Sequence, residues 1–146
     1  DRDVPELGRT LGEELLEPTR IYSGDCLALI KAAEVHAMSH VTGGGLANNL
    51  ARVVPEAIRV RIDRGTWAPP PIFDVVRQAG GVSQPDLEAT LNMGVGMVAL
   101  LAPDAVDAAL AALADRGLPA WVCGAAEAVL PGDGERVVLE GSHFAA

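Results

Sequence analysis

Three consecutive glycines, Gly43-Gly44-Gly45, sit between an apolar stretch and a helical pattern, and few chain geometries accept them there. Glycine loses more backbone freedom on folding than any other residue, and each one costs roughly 0.5–1 kcal/mol relative to alanine near a helix. Ala37, Met38 and Val41 form the apolar lead-in. Leu46, Leu50, Val53 and Val54 follow at helical spacing, and Pro55 stops the pattern. The segment His40 to Pro55 therefore reads as a strand end, a glycine turn and a helix with one buried face, with Thr42 as the N-cap. Two things can offset the cost of the glycines. An anion can approach a backbone that lacks Cβ atoms, drawn by free N–H groups and the helix dipole. A tight turn packed against another element needs glycine equally. The motif alone leaves both open.

The flanking chain alternates helix and strand. Asp1 to Gly8 is polar and expected to be ragged. Thr10-Leu11-Gly12-Glu13 has the form of a capping box, opening a short helix that Pro18 ends. A second helix is predicted from about Gly24 to Glu34, and a short strand from Val35 to Val41. Ile58, Val60 and Ile62 alternate with Arg59, Arg61 and Asp63, the period of a strand with one wet, basic face. Arg52, at the end of the glycine helix, has either an ion-pairing or a substrate role. Helices follow at Pro71 to Ala79 and, capped by Ser83, at Gln84 to Leu91. Val98 to Ala102 is apolar throughout and predicts a central strand covered on both faces. Gly94 and Gly96 precede it, two apart on one side of an extended chain, leaving room for a ligand or for close packing. Pro103 to Arg116 is a further helix. Ala120 to Val129 and Glu135 to Glu140, joined at Gly132-Asp133-Gly134, predict a terminal hairpin, followed by a solvated tail holding His143. The order predicts an α+β fold, a layered α/β/α arrangement of helices on a mixed, largely antiparallel sheet.

Composition narrows the function classes. At 146 residues the chain is expected to form one domain, and 49% hydrophobic content supports a packed core. A net charge of −9 argues against nucleic-acid binding, which needs a basic footprint. No apolar run reaches the roughly 18 residues of a membrane span, so no membrane role is expected. Cys26 and Cys123 lack metal-ligand spacing and fit reduced, buried thiols of a cytoplasmic protein better than a disulfide. The start at Asp1-Arg2-Asp3 is expected to mark a fragment or a processed form.

Four segments together resemble one family. They are His40 to Leu46 with Asn49, Arg52 and Pro55; Leu16 to Tyr22; Asp63 to Trp67 with Pro71 to Phe73; and Asn92 to Met97. In order and spacing this is similar to the carboxy-terminal domain of aminoimidazole ribonucleotide synthetase, the phosphoribosylformylglycinamidine cyclo-ligase of purine biosynthesis. The resemblance implies ATP-dependent ring closure of formylglycinamidine ribonucleotide to aminoimidazole ribonucleotide. It implies a catalytic role for His40 and substrate or phosphate binding by Thr42, Gly43, Gly44, Gly45, Asn49, Asn92, Gly94 and Gly96. No metal ligand is assigned. ATP and Mg2+ would be bound mainly by an amino-terminal domain, and both that domain and the first part of the chain's own carboxy-terminal domain are expected to lie outside this sequence. The full-length protein would be a cytoplasmic homodimer acting on a small-molecule ribonucleotide, and this chain alone is expected not to turn over. At the level of residues, His40 also reads as a strand-end histidine bonded to backbone, and Asn49 as a helix-surface residue. The alternatives are a non-catalytic module that binds a phosphorylated metabolite or a partner subunit, and a related ATP-using enzyme such as selenophosphate synthetase.

Overall fold

In the computed structural model, residues 2–130, 132 and 134–143 are described. Helices and mixed, largely antiparallel sheets make it an α+β fold, with the strands divided among three small sheets. β1 (Asp3–Val4) pairs antiparallel with β2 (Arg9–Thr10), so the start of the chain is tied down rather than ragged. A 3-10 turn at Pro5–Leu7, closed by left-handed Gly8, folds the two together. The capping box is present: Thr10 accepts from Glu13 N at the start of α1 (Leu11–Leu15), and Glu13 accepts from Thr10 N. α2 (Ser23–Ala32) leads into β3 (Val35–His40), followed by the glycine turn and α3 (Gly45–Ala51).

β4 (Ile58–Asp63) forms the centre of the core. Val60 and Ile62 are each 1% exposed, as the period-two pattern requires, and meet Leu46, Leu50 and Val54 from the α3 segment. Burying side chains of this size stabilises by roughly 1.5–3 kcal/mol each. α4 (Pro71–Gly80) and α5 (Gln84–Thr90, capped by Ser83) come next. Then follow β5 (Met97–Leu101), α6 (Val106–Ala114), β6 (Gly124–Ala128) and β7 (Val137–Glu140).

Two strand expectations are corrected. Among the described residues β5 pairs with β3 alone, antiparallel, with His40 opposite Met97. An apolar run reports what lies on a strand's faces and carries no count of its hydrogen-bonded edges. The terminal hairpin is not formed either, because β4 lies between β6 and β7, antiparallel to the first and parallel to the second. Electrostatics favours this order, since Arg61 of β4 pairs with Glu127 of β6 on one side and Glu140 of β7 on the other. The wet face of β4 is thus neutralised at its centre by its neighbours. Asp133 of the expected turn lies outside the described residues. Both cysteines are free thiols, and burial pushes the Cys123 thiol up. No helix among the described residues is long and apolar enough to cross a membrane.

Candidate active-site cleft

The two glycine segments are stitched together by backbone: Val41 N donates to Gly96 O at 2.9 Å. Between β3 and α3 the chain turns through two successive left-handed residues, Gly44 (φ 98) and Gly45 (φ 74). That displaces the helix start, so the N-cap is Gly44 and not Thr42. Thr42 instead accepts Gly45 N on its carbonyl at 3.3 Å, while its hydroxyl donates to Asn49 Oδ1 at 3.4 Å. Asn49 is 4% exposed and holds the turn from inside. Its Nδ2 donates to the carbonyls of Gly45 (2.7 Å), Gly43 (3.2 Å) and Thr42 (3.3 Å), and Arg52 donates to its Oδ1.

Two of the three glycines are required by the local structure and the third is not. A Cβ on Gly45 would lie 1.8 Å from the backbone oxygen of Glu88 in α5, so this position is fixed by packing. Gly44 is fixed by its positive φ, and its N–H donates to Thr90 O at 3.3 Å. Gly43 has neither constraint: no atom lies within 4 Å of an added Cβ, its φ is ordinary, and its N–H makes no hydrogen bond among the described residues.

The second segment forms a tight turn, closed by Val95 N donating to Asn92 O at 2.9 Å. Both central residues have positive φ, Met93 at 51° and Gly94 at 88°. A left-handed methionine costs roughly 1–2 kcal/mol. It is held there by burial of its side chain and by Trp67 Nε1–H, which donates to Met93 O at 3.0 Å. Asn92 Oδ1 accepts from Gly94 N at 3.0 Å. A Cβ on Gly94 would be 2.5 Å from Pro70 Cδ, and one on Gly96 would be 1.8 Å from the Tyr22 hydroxyl.

These turns wall a cleft of about 360 Å³, within the usual range for small-ligand sites. His40, Thr42, Gly43, Asn92 and Gly96 line it. Gly44, Gly45, Asn49 and Gly94 do not line it; they belong to the turns that carry the lining residues. Tyr22 and Phe73 also line the cleft; both end segments that carry the family resemblance, but neither was among the site residues expected from sequence. The available signal was scarcity: a chain with one tyrosine and two phenylalanines places the tyrosine and one phenylalanine here. His40 is exposed at the end of β3, with the Tyr22 ring edge-on at 5.8 Å between centroids. The arrangement can offer an anion the Gly43 N–H and an accessible imidazole; the Thr42 hydroxyl joins them only by giving up its 3.4 Å bond to Asn49 Oδ1.

α5 is anchored from its far side by a buried ion pair. Arg64 grips Glu88 with two bonds, Nε–Oε1 at 2.8 Å and Nη2–Oε2 at 2.7 Å, and donates Nη1 to Leu139 O at 2.6 Å. Burial alone would push the Glu88 carboxyl up. Hydrogen bonds from Arg64 and Gln84 and the Arg64 charge outweigh that and hold it below its ordinary 4.5. His143 is not a solvated tail residue: its side chain is 2% exposed, beside Glu88 and edge-on to Trp67 at 4.5 Å. Its Nδ1 lies 3.1 Å from Arg64 O. Trp67 and the Arg64–Glu88 pair together supply the apolar wall and polar partners that hold an imidazole near the chain end.

A family model described as AIR synthase related protein, C-terminal domain, matches residues 1–133. A protein of Streptomyces fradiae named putative phosphoribosylformylglycinamidine cyclo-ligase is 66% identical over 124 residues, 85% of this chain and 68% of its own length. The phosphoribosylformylglycinamidine cyclo-ligase of Anaeromyxobacter sp. (strain Fw109-5) is 52% identical over 120 residues, 82% of this chain and 35% of its own. That of Symbiobacterium thermophilum is 45% identical over 140 residues, 95% of this chain and 39% of its own. The chain thus spans only 35% to 39% of the length of the latter two relatives.

Proposed function

Because this chain belongs to the AIR synthase related family, matching its C-terminal domain, we propose that it supplies the substrate side of a phosphoribosylformylglycinamidine cyclo-ligase. The whole protein would close formylglycinamidine ribonucleotide to aminoimidazole ribonucleotide with ATP. One observation carries this reading. Residues from two segments about fifty positions apart, His40 to Gly43 and Asn92 to Gly96, converge on a single cleft. In that cleft the Gly43 N–H binds a phosphate oxygen, joined by the Thr42 hydroxyl once it releases Asn49 Oδ1, and Asn92 lines the opposite turn. Gly44, Gly45, Asn49 and Gly94 act indirectly, by fixing the backbone that presents these groups. His40 exchanges a proton with the substrate. Among the described residues no three His, Cys, Asp or Glu side chains come together to hold a metal ion. On the family resemblance, ATP and Mg2+ are assigned mainly to the remaining length of the longer protein, and no step on this chain runs through them. Exposed Leu16, Ile21 and Leu27 support a covered surface in that longer protein, in keeping with a cytoplasmic homodimer.

The test is a titration of the chain with aminoimidazole ribonucleotide, followed by backbone amide NMR. Shifts concentrated at Thr42 to Leu46 and Asn92 to Met97 are expected, and an unmoved Gly43 amide would refute the site. In the full-length enzyme, His40→Ala is expected to lower kcat on the order of a hundredfold, the lower range for loss of a general acid or base. An unchanged kcat would remove His40 from the chemistry.

A further inference from the structure

We propose that Tyr22 is a ligand-binding residue of the cleft, its hydroxyl donating to an anionic oxygen of the molecule held at Gly43; this rests on the phosphate reading of the cleft. Tyr22 is the one tyrosine in the chain. It sits where the chain enters α2, contributes no side-chain cap to that helix, and turns its ring into the cleft. Tyr22 is half-buried, and its hydroxyl is not among the side-chain atoms sealed from water without a partner, so it is accessible to a ligand in the cleft.

Its place is determined by what is missing beneath it. An added Cβ on Gly96 would stand 1.8 Å from the hydroxyl oxygen, 2.6 Å from Cζ and 3.0 Å from Cε2. Gly96 has an ordinary φ, so backbone conformation does not demand glycine there. Room for the phenol ring does. The second glycine segment thus acts on the ligand through Tyr22: Gly96 seats the ring, and β5 carries Gly96 beside β3, where Val41 N meets Gly96 O. On its other side the ring meets His40 edge-on, at 65° between planes. The ring is thereby held beside the imidazole and on the same cleft as the unbonded Gly43 N–H. A preorganised donor of this kind loses little freedom when it binds.

The experiment is a titration of the chain and three variants with ribose 5-phosphate and, separately, inorganic phosphate, read by the amide shifts of Thr42 to Leu46. Tyr22→Phe keeps the ring and removes the donor. It should retain the wild-type melting temperature and bind ribose 5-phosphate about tenfold more weakly, the low end for a bond to a charged acceptor. Gly96→Ala should weaken binding as much or more by unseating the ring. Adding Tyr22→Ala to Gly96→Ala should restore stability, because the clash has gone, without restoring affinity. If wild type shifts at Gly43 and Tyr22→Phe binds equally well, the Tyr22 assignment is overturned while the phosphate site stands. If wild type shows no shift with either probe, the phosphate reading falls and takes the assignment with it. Equal weakening for inorganic phosphate and ribose 5-phosphate places the hydroxyl on the phosphate, as proposed; weakening for the ester alone would place it on an uncharged sugar oxygen and overturn the anion assignment. An effect through melting temperature alone would make Tyr22 structural and overturn the proposal.

Discussion

Gly45→Ala is expected to destabilise the fold by roughly 3 kcal/mol, lowering the melting temperature by about 10 °C, whereas Gly43→Ala should fold like wild type and lose phosphate-ester binding. The two positions are separated by a single residue, and the difference is geometric. At Gly45 a methyl group meets the Glu88 carbonyl oxygen at 1.8 Å, and the residue also holds φ 74. The left-handed conformation costs an alanine roughly 1–2 kcal/mol, and overpacking adds about 1–3 kcal/mol. A backbone carbonyl inside a helix cannot swing aside as a side-chain tip would, so α3 and α5 must separate. At Gly43 the methyl group meets nothing within 4 Å. It would stand where a ligand approaches the backbone. Urea unfolding of both variants, with a ribose 5-phosphate titration of Gly43→Ala, checks the contrast. Normal binding by a folded Gly43→Ala would mean that the glycine run serves packing throughout.

Arg64→Ala should cost about 3–5 kcal/mol, the usual penalty for leaving one member of a buried pair uncompensated. The Glu88 side chain is 6% exposed, and two of its bonds come from one guanidinium. Arg64→Lys should recover only part of the loss, since an ammonium cannot make the two parallel bonds. The pH dependence follows from the direction of the Glu88 shift. Its folded-state value lies below the unfolded one, so its contribution is complete above the ordinary carboxylate range and is lost as pH falls through the depressed value. In Arg64→Ala the desolvation remains without the cation, and acid then relieves a penalty instead of removing a bond. The stability gap between the two proteins should therefore narrow toward pH 4, measured as urea midpoints across a pH series. A gap that stays constant would show that Arg64 acts through packing of its stem and not through the carboxylate.

Much of this architecture is legible from local pattern. The capping box at Thr10, the Ser83 cap, the Pro71 helix start and the inward side of β4 are all decided within a few residues of themselves. So are the two glycine turns that wall the cleft, because glycine turns before and after strands carry their own signature. What sequence could not supply was anything depending on which distant element arrives. Thr42 has the chemistry of a cap, but consecutive left-handed glycines move the helix start past it. Asn49 reads as a surface residue on a short helix, and only the folded turn shows three carbonyls gathered around its amide. His143 lies in a polar tail, and its burial is made by Trp67 and Glu88, more than fifty residues away in sequence. The hairpin failed for the same reason: two strands adjacent in sequence each pair better with a third.

The insertion of β4 between β6 and β7 sets the timing of folding. During synthesis β4, with Val60 and Ile62 on its inner face, emerges some sixty residues before β6 and more than seventy before β7. Neither edge can pair until some sixty to eighty further residues have been made. Pairings this remote raise the contact order and slow folding. Meanwhile the nascent chain carries an alternating apolar strand with both edges open, the form most prone to pair with a neighbouring copy. Arg59, Arg61 and Asp63 alternate with the apolar positions along that strand, so its charged face acts as a gatekeeper in the unfinished chain before two of its neighbours arrive to neutralise Arg61.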